Sequence, residues 1–306
     1  MPGHLVSALL AAAASLSIAT AAAAQEPGPP AAPPPHPPQA ASTGQPPAVP
    51  AVELDQMVIN SPTTMPLKRH KSYFRITHRF ARDLRRGTFG SLAEDLFSLD
   101  NGAVIGLEYR FGITDRLQAG IHRSILGKTI VTFARWDPWR QADGRPFGLS
   151  ATASIEGQNN LHLDPQPGIS ATLSRAHGTR LALYATPTFI KDAHTETLRL
   201  SHGDHTHETP GATEQDEGVE HNSTAFVGLG MRARVRETVS LVAEVSPRLW
   251  GYRPGRAAWS VGIEKLTRGH VMQLNIGNSF GTTPGQVARG GSDHDVYLGF
   301  SMSRKF

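Results

Sequence analysis

The stretch IGLEYRFGITDRLQAGIHRS, Ile105 to Ser124, decides the fold. Ile105, Leu107, Tyr109 and Phe111 alternate with Gly106, Glu108 and Arg110. Beyond a short turn, Leu117, Ala119 and Ile121 alternate with Gln118, Gly120 and His122. A period of two belongs to a strand, whose side chains point to opposite faces, and not to a helix. The stretch therefore predicts two antiparallel strands joined through Ile113–Asp115. One face is apolar without being bulky; the other is Gly, Ser, Thr, Glu and Arg. A water-soluble barrel or sandwich fills its interior with large aliphatic and aromatic side chains. Small and charged residues on one face, against modest aliphatics on the other, fit a polar lumen inside and lipid outside.

The same alternation recurs outward from this pair to the end of the chain. It marks Leu149–Ile155, Ile169–Leu173, Val227–Met231, Leu241–Val245, Trp259–Ile263, Met272–Ile276 and Leu298–Met302. Tyr73–Phe80, Thr129–Trp136 and Leu181–Ile190 bring the candidates to 12, although Thr129–Trp136 has apolar residues on both faces. A tilted strand of about 9–11 residues spans the hydrocarbon of a bilayer. In lipid every backbone N–H needs a partner, so the sheet has to close. The expected fold is all-β: a closed antiparallel up-and-down transmembrane β-barrel of about 12 strands.

Connection lengths agree. Ile113–Asp115, Ala176–Thr179, Arg236–Val239 and Leu266–Gly269 are short, with Asp137–Pro146 the long exception on that side. The alternate connections include Ala81–Gly102, Gln158–Pro167, Lys191–Ser223 and Gly281–Asp295, with shorter ones near Leu126–Lys128 and Tyr252–Arg256. Short periplasmic turns and longer outer loops characterise outer-membrane barrels. Trp136, Trp139, Trp250 and Tyr252 fall near strand ends, where an interfacial aromatic girdle belongs. Phe306 closes an alternating strand, as in the assembly signal of such barrels, although Arg304 departs from that pattern.

The 306-residue chain has no cysteine and a formal charge of +4. Disulfides, thiolate metal sites and a cysteine nucleophile are excluded. The charge is too small to indicate nucleic acid. Every aromatic residue lies at or after Tyr73. Leu5–Ala24 is a short Ala-rich apolar run ending Ala22-Ala23-Ala24, which reads as a signal peptide over residues 1–24, with a transmembrane anchor as the alternative. Residues 27–50 hold 11 prolines. Proline lacks an N–H and fixes φ, so residues 25–66 are expected to form an extended periplasmic linker, reaching toward the cell wall or a periplasmic protein or serving as a passive spacer. The barrel is then expected over residues 67–306.

FRITHRF at 74–80, EDLFSLDNG at 94–102 and the stretch at 105–124 resemble the membrane-bound β-barrel domain family, a domain of unknown function numbered 5777, from about Leu67 to Phe306. The resemblance implies a bacterial outer-membrane barrel of unassigned role. Its partners would be outer-membrane lipid and, through the C-terminal strand, the barrel-assembly machinery. It transfers no catalytic or binding residue.

Candidate chemistry is sparse. Arg75, Arg79, Glu108, Arg110, Glu156, Arg232, Arg234, Glu244, Arg248 and Glu264 fall on the expected lumen face, where charges pair or meet water. They fit either a narrow, slightly anion-biased pore or binding barrel for small polar solutes, or a closed structural and docking barrel. Twelve strands lie between a filled barrel and an open channel, so strand number does not choose. Ser91–Asp100 is a candidate plug at the mouth. His202, Asp204, His205 and His207 are a candidate for weak Zn²⁺, Cu²⁺ or Ni²⁺ capture; no other cofactor is expected. His122 with Ser124, and His221 with Ser223, have the spacing of a base and nucleophile on one strand, but lumen placement of the first pair disfavours a lipid hydrolase. The expectation is a non-enzyme.

Overall fold

In the computed structural model, the described residues are 52–95, 102–194, 221–251 and 256–306. The expected signal peptide, the proline-rich part of the linker and the histidine-rich loop lie outside them.

Among the described residues, thirteen strand segments make one antiparallel sheet that closes on itself. They are β1 Ser72–Phe80, β2 Ala103–Gly112, β3 Leu117–Ser124, β4 Thr129–Trp139, β5 Gly148–Gly157, β6 Leu163–His177, β7 Leu181–His194, β8 His221–Arg236, β9 Val239–Ser246, β10 Arg248–Trp250, β11 Ala258–Leu266, β12 His270–Gly277 and β13 Tyr297–Lys305. Segments β9 and β10 are halves of one barrel strand interrupted at Pro247, and both pair with β8. The barrel thus has twelve staves, each paired with its neighbour in sequence. Closure comes from β1 against β13, with Arg75 opposite Ser303 and Arg79 opposite Gly299. Phe306 completes the seam by exchanging backbone hydrogen bonds with Ser72.

The faces are sorted as a membrane requires. Leu107, Leu229 and Leu274 point outward and are 43%, 44% and 51% exposed, whereas Glu108 is 4% and Arg232 0% exposed inside. This is the inverse of a soluble core, and the apolar shell is stabilised by lipid. Trp136, Trp139 and Trp250 are exposed on the outer wall near strand ends, with Trp250 stacked on Phe189. Arg304 also faces outward near the end of β13, with its guanidinium over the Phe306 ring, 5.0 Å from the centroid.

Two inward segments fill the lumen, and they correct the expected domain boundary. Residues 52–66 were expected to belong to the linker, but Val52, Leu54, Val58 and Ile59 are buried, and Val52, Val58 and Ile59 pack with Ala182, Tyr184 and Val242 of the wall. The folded body therefore begins by Val52, not Leu67. From the other end, the β12–β13 connection turns in, burying Phe280, Thr283, Gln286 and Val287. Of the plug expected at Ser91–Asp100, the described part, Ser91–Asp95, lies in and beside a short helix, Phe89–Glu94, which has no buried residue; the remainder lies outside the described residues.

Candidate functional site: the occupied lumen

Residues 56–63 make a tight hairpin. The Val58 N–H donates to Ser61 O at 2.8 Å and the Thr63 N–H to Gln56 O at 2.9 Å. A lone hairpin inside a barrel has no ladder partner, so its remaining backbone groups must be satisfied by side chains. The wall supplies them. Glu244 accepts the N–H groups of Ile59, Asn60 and Ser61 at 2.9–3.2 Å. Arg75 donates to Ile59 O at 2.6 Å, Arg232 to Met57 O at 2.8 Å, Gln273 to Val58 O at 2.6 Å and Arg135 to Met65 O at 3.2 Å. Arg79 reaches the Asn60 side chain at 3.2 Å. An anion on converging N–H groups and cations on carbonyls are the stronger class of hydrogen bond.

The lumen glycines now have a reason. A Cβ on Gly228 would lie 2.8 Å from Ser61 Oγ, and one on Gly230 would lie 3.2 Å from Val58 Cγ2. A Cβ on Gly148 would lie 2.5 Å from Thr64 Oγ1. The bare backbone at these positions makes room for the segment.

At the other end, Thr283 caps the short helix Pro284–Ala288. Its hydroxyl donates to Glu156, as does the Gly285 N–H at 2.8 Å. Arg248 donates to Arg289 O at 3.0 Å. Between hairpin and cap lies a chamber of ≈ 100 Å³, lined by hydroxyls such as Thr152, Ser170 and Thr188 and by Val131, Phe226 and Val287.

Three ion-pair clusters line the wall. Arg232 forks onto Glu264 at 2.7 and 2.9 Å with both side chains fully buried, and Tyr184 accepts a further bond. Arg110 pairs with Glu108, whose second oxygen is 3.3 Å from His122 Nδ1; His122 Nε2 is 3.2 Å from Thr282 Oγ1. Arg135 pairs with Asp137 at 2.8 Å. The histidine thus ties the wall to the cap and makes no bond to Ser124, whose hydroxyl partners Gln286 at 3.2 Å. Ser223 accepts from the Asp192 N–H at 3.3 Å.

Of the ten charged lumen candidates, all but Arg234 are buried, and Arg234 is half-buried. The structure brings Arg75, Arg79, Arg232 and Glu244 together on the hairpin, and Glu156 and Arg248 on the cap. The metal candidates His202, Asp204, His205 and His207 lie outside the described residues. No cluster with three or more potential metal ligands occurs among the described residues. Sequence reasoning missed the hairpin, the cap and the Arg135–Asp137 pair. The pair's signal was present, since both sit on one alternate of β4, but Val131 and Phe133 share that face.

Closed staves, an apolar outside and a charged, filled inside define a transmembrane β-barrel. The chain belongs to the family described as the membrane-bound β-barrel domain, domain of unknown function 5777, which matches residues 55–306. No curated protein matches it. Among solved structures it is similar to the NanC porin at 8% identity, over 77% of this chain and 98% of that one, with a TM-score of 0.45. It is similar to an outer membrane channel from Pseudomonas putida F1 at 12% identity, over 78% and 97%, with a TM-score of 0.44. It is similar to outer membrane phospholipase A from Escherichia coli at 9% identity, over 79% and 94%, with a TM-score of 0.37. None of these likenesses bears on what the chain does.

Proposed function

We propose that this protein is a non-enzymatic outer-membrane barrel that binds and passes small polar solutes, preferentially anions, and is held shut by its own N-terminal hairpin. The observation that carries the reading is the bonding between hairpin and wall. Arg75 and Arg232 each spend a guanidinium donor on the hairpin backbone, and Arg135 spends one on Met65 O just beyond it. With the hairpin withdrawn, those donors face an aqueous lumen and attract anions. Arg79 adds to the same field. The side of the short turns, where the segment joins β1 after Leu67, is the periplasmic side in this reading.

The test is planar-bilayer recording of the refolded mature chain and of Glu244→Gln. An amide nitrogen in place of a carboxylate oxygen removes the charge that gathers the three N–H groups. Hydrogen bonds to a charged group are worth about 1.5–3 kcal/mol each. The expected result is rare or absent steps for the parent and frequent, anion-selective steps for the variant. Silence from both at every voltage would leave a closed structural barrel as the reading.

A further inference from the structure

We propose that the chamber has a second access route, sideways from the bilayer through the wall between β6 and β7 at Pro187, used by small, weakly polar molecules that partition into lipid. In a closed barrel every strand is central, so a mid-strand proline leaves a ladder bond unmade. Pairing of β7 with β8 runs unbroken through Thr186↔Gly228, Pro187↔Val227 and Thr188↔Phe226. Pairing with β6 stops after Ser170↔Thr188 and resumes at Leu173↔Ala185. The proline nitrogen therefore faces β6 and robs that strand of a donor. On the lumen side a long hydroxyl contact crosses the opening, Thr186 donating to Thr172 at 3.4 Å, while the Thr188 hydroxyl turns back onto Thr186 O of its own strand at 3.3 Å.

The surroundings point the same way. Outside, a depression of ≈ 690 Å³ is floored by small residues including Ala151, Ala171 and Ala225, with Pro187 in its wall. Thr152, Ile169, Ser170, Thr188 and Phe226 line both this depression and the chamber. The hairpin and the cap occupy the two axial approaches, so the weakened ladder is the thin wall. Phe226, Val131 and Val287 offer an apolar molecule a surface, while the threonines offer a hydroxyl or carbonyl a partner. This route does not depend on axial conduction.

The experiment uses the full mature chain in phosphatidylcholine vesicles with 1-naphthol as the fluorescent probe. Heat-modifiable gel mobility checks that each variant is folded. Pro187→Val restores the missing N–H, and Thr188→Trp fills the chamber behind it. The expected result is saturable binding to the parent, none to Thr188→Trp, and unchanged affinity but binding slowed about tenfold in Pro187→Val, the rate cost of one net hydrogen bond. Equal rates for the parent and Pro187→Val, or undiminished binding in Thr188→Trp, would each overturn the route. Conductance reports separately on the axial pore, so either reading can fail alone.

Discussion

At the residue scale the lumen is a set of charges that cannot lose a partner. Arg232 and Glu264 have no exposed side-chain surface. A buried pair of this kind contributes little against an apolar isostere, yet removing one member strands the other and costs about 3–5 kcal/mol. Glu264→Ala should therefore lower the temperature of the heat-modifiable mobility shift sharply, and adding Arg232→Met should recover much of the loss. Equal shifts for the single and double variants would deny that the pair is coupled. A second residue-scale contact is Phe133 against Gly120, where a Cβ would come within 2.3 Å of the ring. Gly120→Ala displaces a ring that also lies under Arg110, 5.1 Å from its guanidinium carbon, and should cost about 1–3 kcal/mol by urea unfolding in micelles. Phe133 also explains where face reading stopped. Most strands display their two faces openly in sequence, as Glu108 and Leu107 do. On β4 an aromatic side chain serves as lumen packing, so both alternates carry apolar residues and alternation alone leaves the faces ambiguous.

At the element scale the outer connections are tied together. The Leu84 N–H donates to Val296 O at 2.8 Å, the Val296 N–H to Asp83 at 2.8 Å, and Arg86 lies 3.5 Å from Asp295. Burial pushes the Asp295 carboxyl up, but hydrogen bonds with Ser292 and Tyr297 and the Arg86 charge outweigh it, holding the group below its ordinary 3.8. A depressed carboxylate contributes stability that is present above its unfolded value and lost as pH falls through the folded one. The β1–β2 and β12–β13 connections should resist pepsin near pH 4 and become cleavable below that ordinary value; Asp295→Asn should be cleaved throughout. Resistance in Asp295→Asn equal to the parent's would remove Asp295 from the tie. Element existence was legible because alternation is written in nearly every stave, β4 excepted. The inward turn of Phe280–Gly291 was not, because its cap, Thr283 before Pro284, is a local signal that fixes a helix start and not the direction of the loop.

At the scale of the whole molecule, the hairpin is legible only through its complement. Val52–Met65 has no period, since its partners are side chains scattered over β1, β2, β4, β6, β7, β8, β9, β12 and β13, and not a neighbouring strand. What the sequence does display is the vacancy made for it, in Gly148, Gly228 and Gly230 on the lumen face. The same vacancy supplies a direct test of whether the hairpin is the gate. A Cβ built at Gly228 lies 3.6 Å from Ser61 Cβ, within the range of about 3.5–4.5 Å that a disulfide requires. The chain has no cysteine of its own, so Ser61→Cys with Gly228→Cys forms an unambiguous pair. Placed in the Glu244→Gln background, the bond should abolish the steps under oxidising conditions, and a reductant should restore them within one recording. Either single cysteine should respond to neither reagent. A barrel that conducts equally with the bond closed would mean that ions bypass the hairpin, and the gate would have to be sought at the cap, where Glu156 holds Thr283 and Gly285.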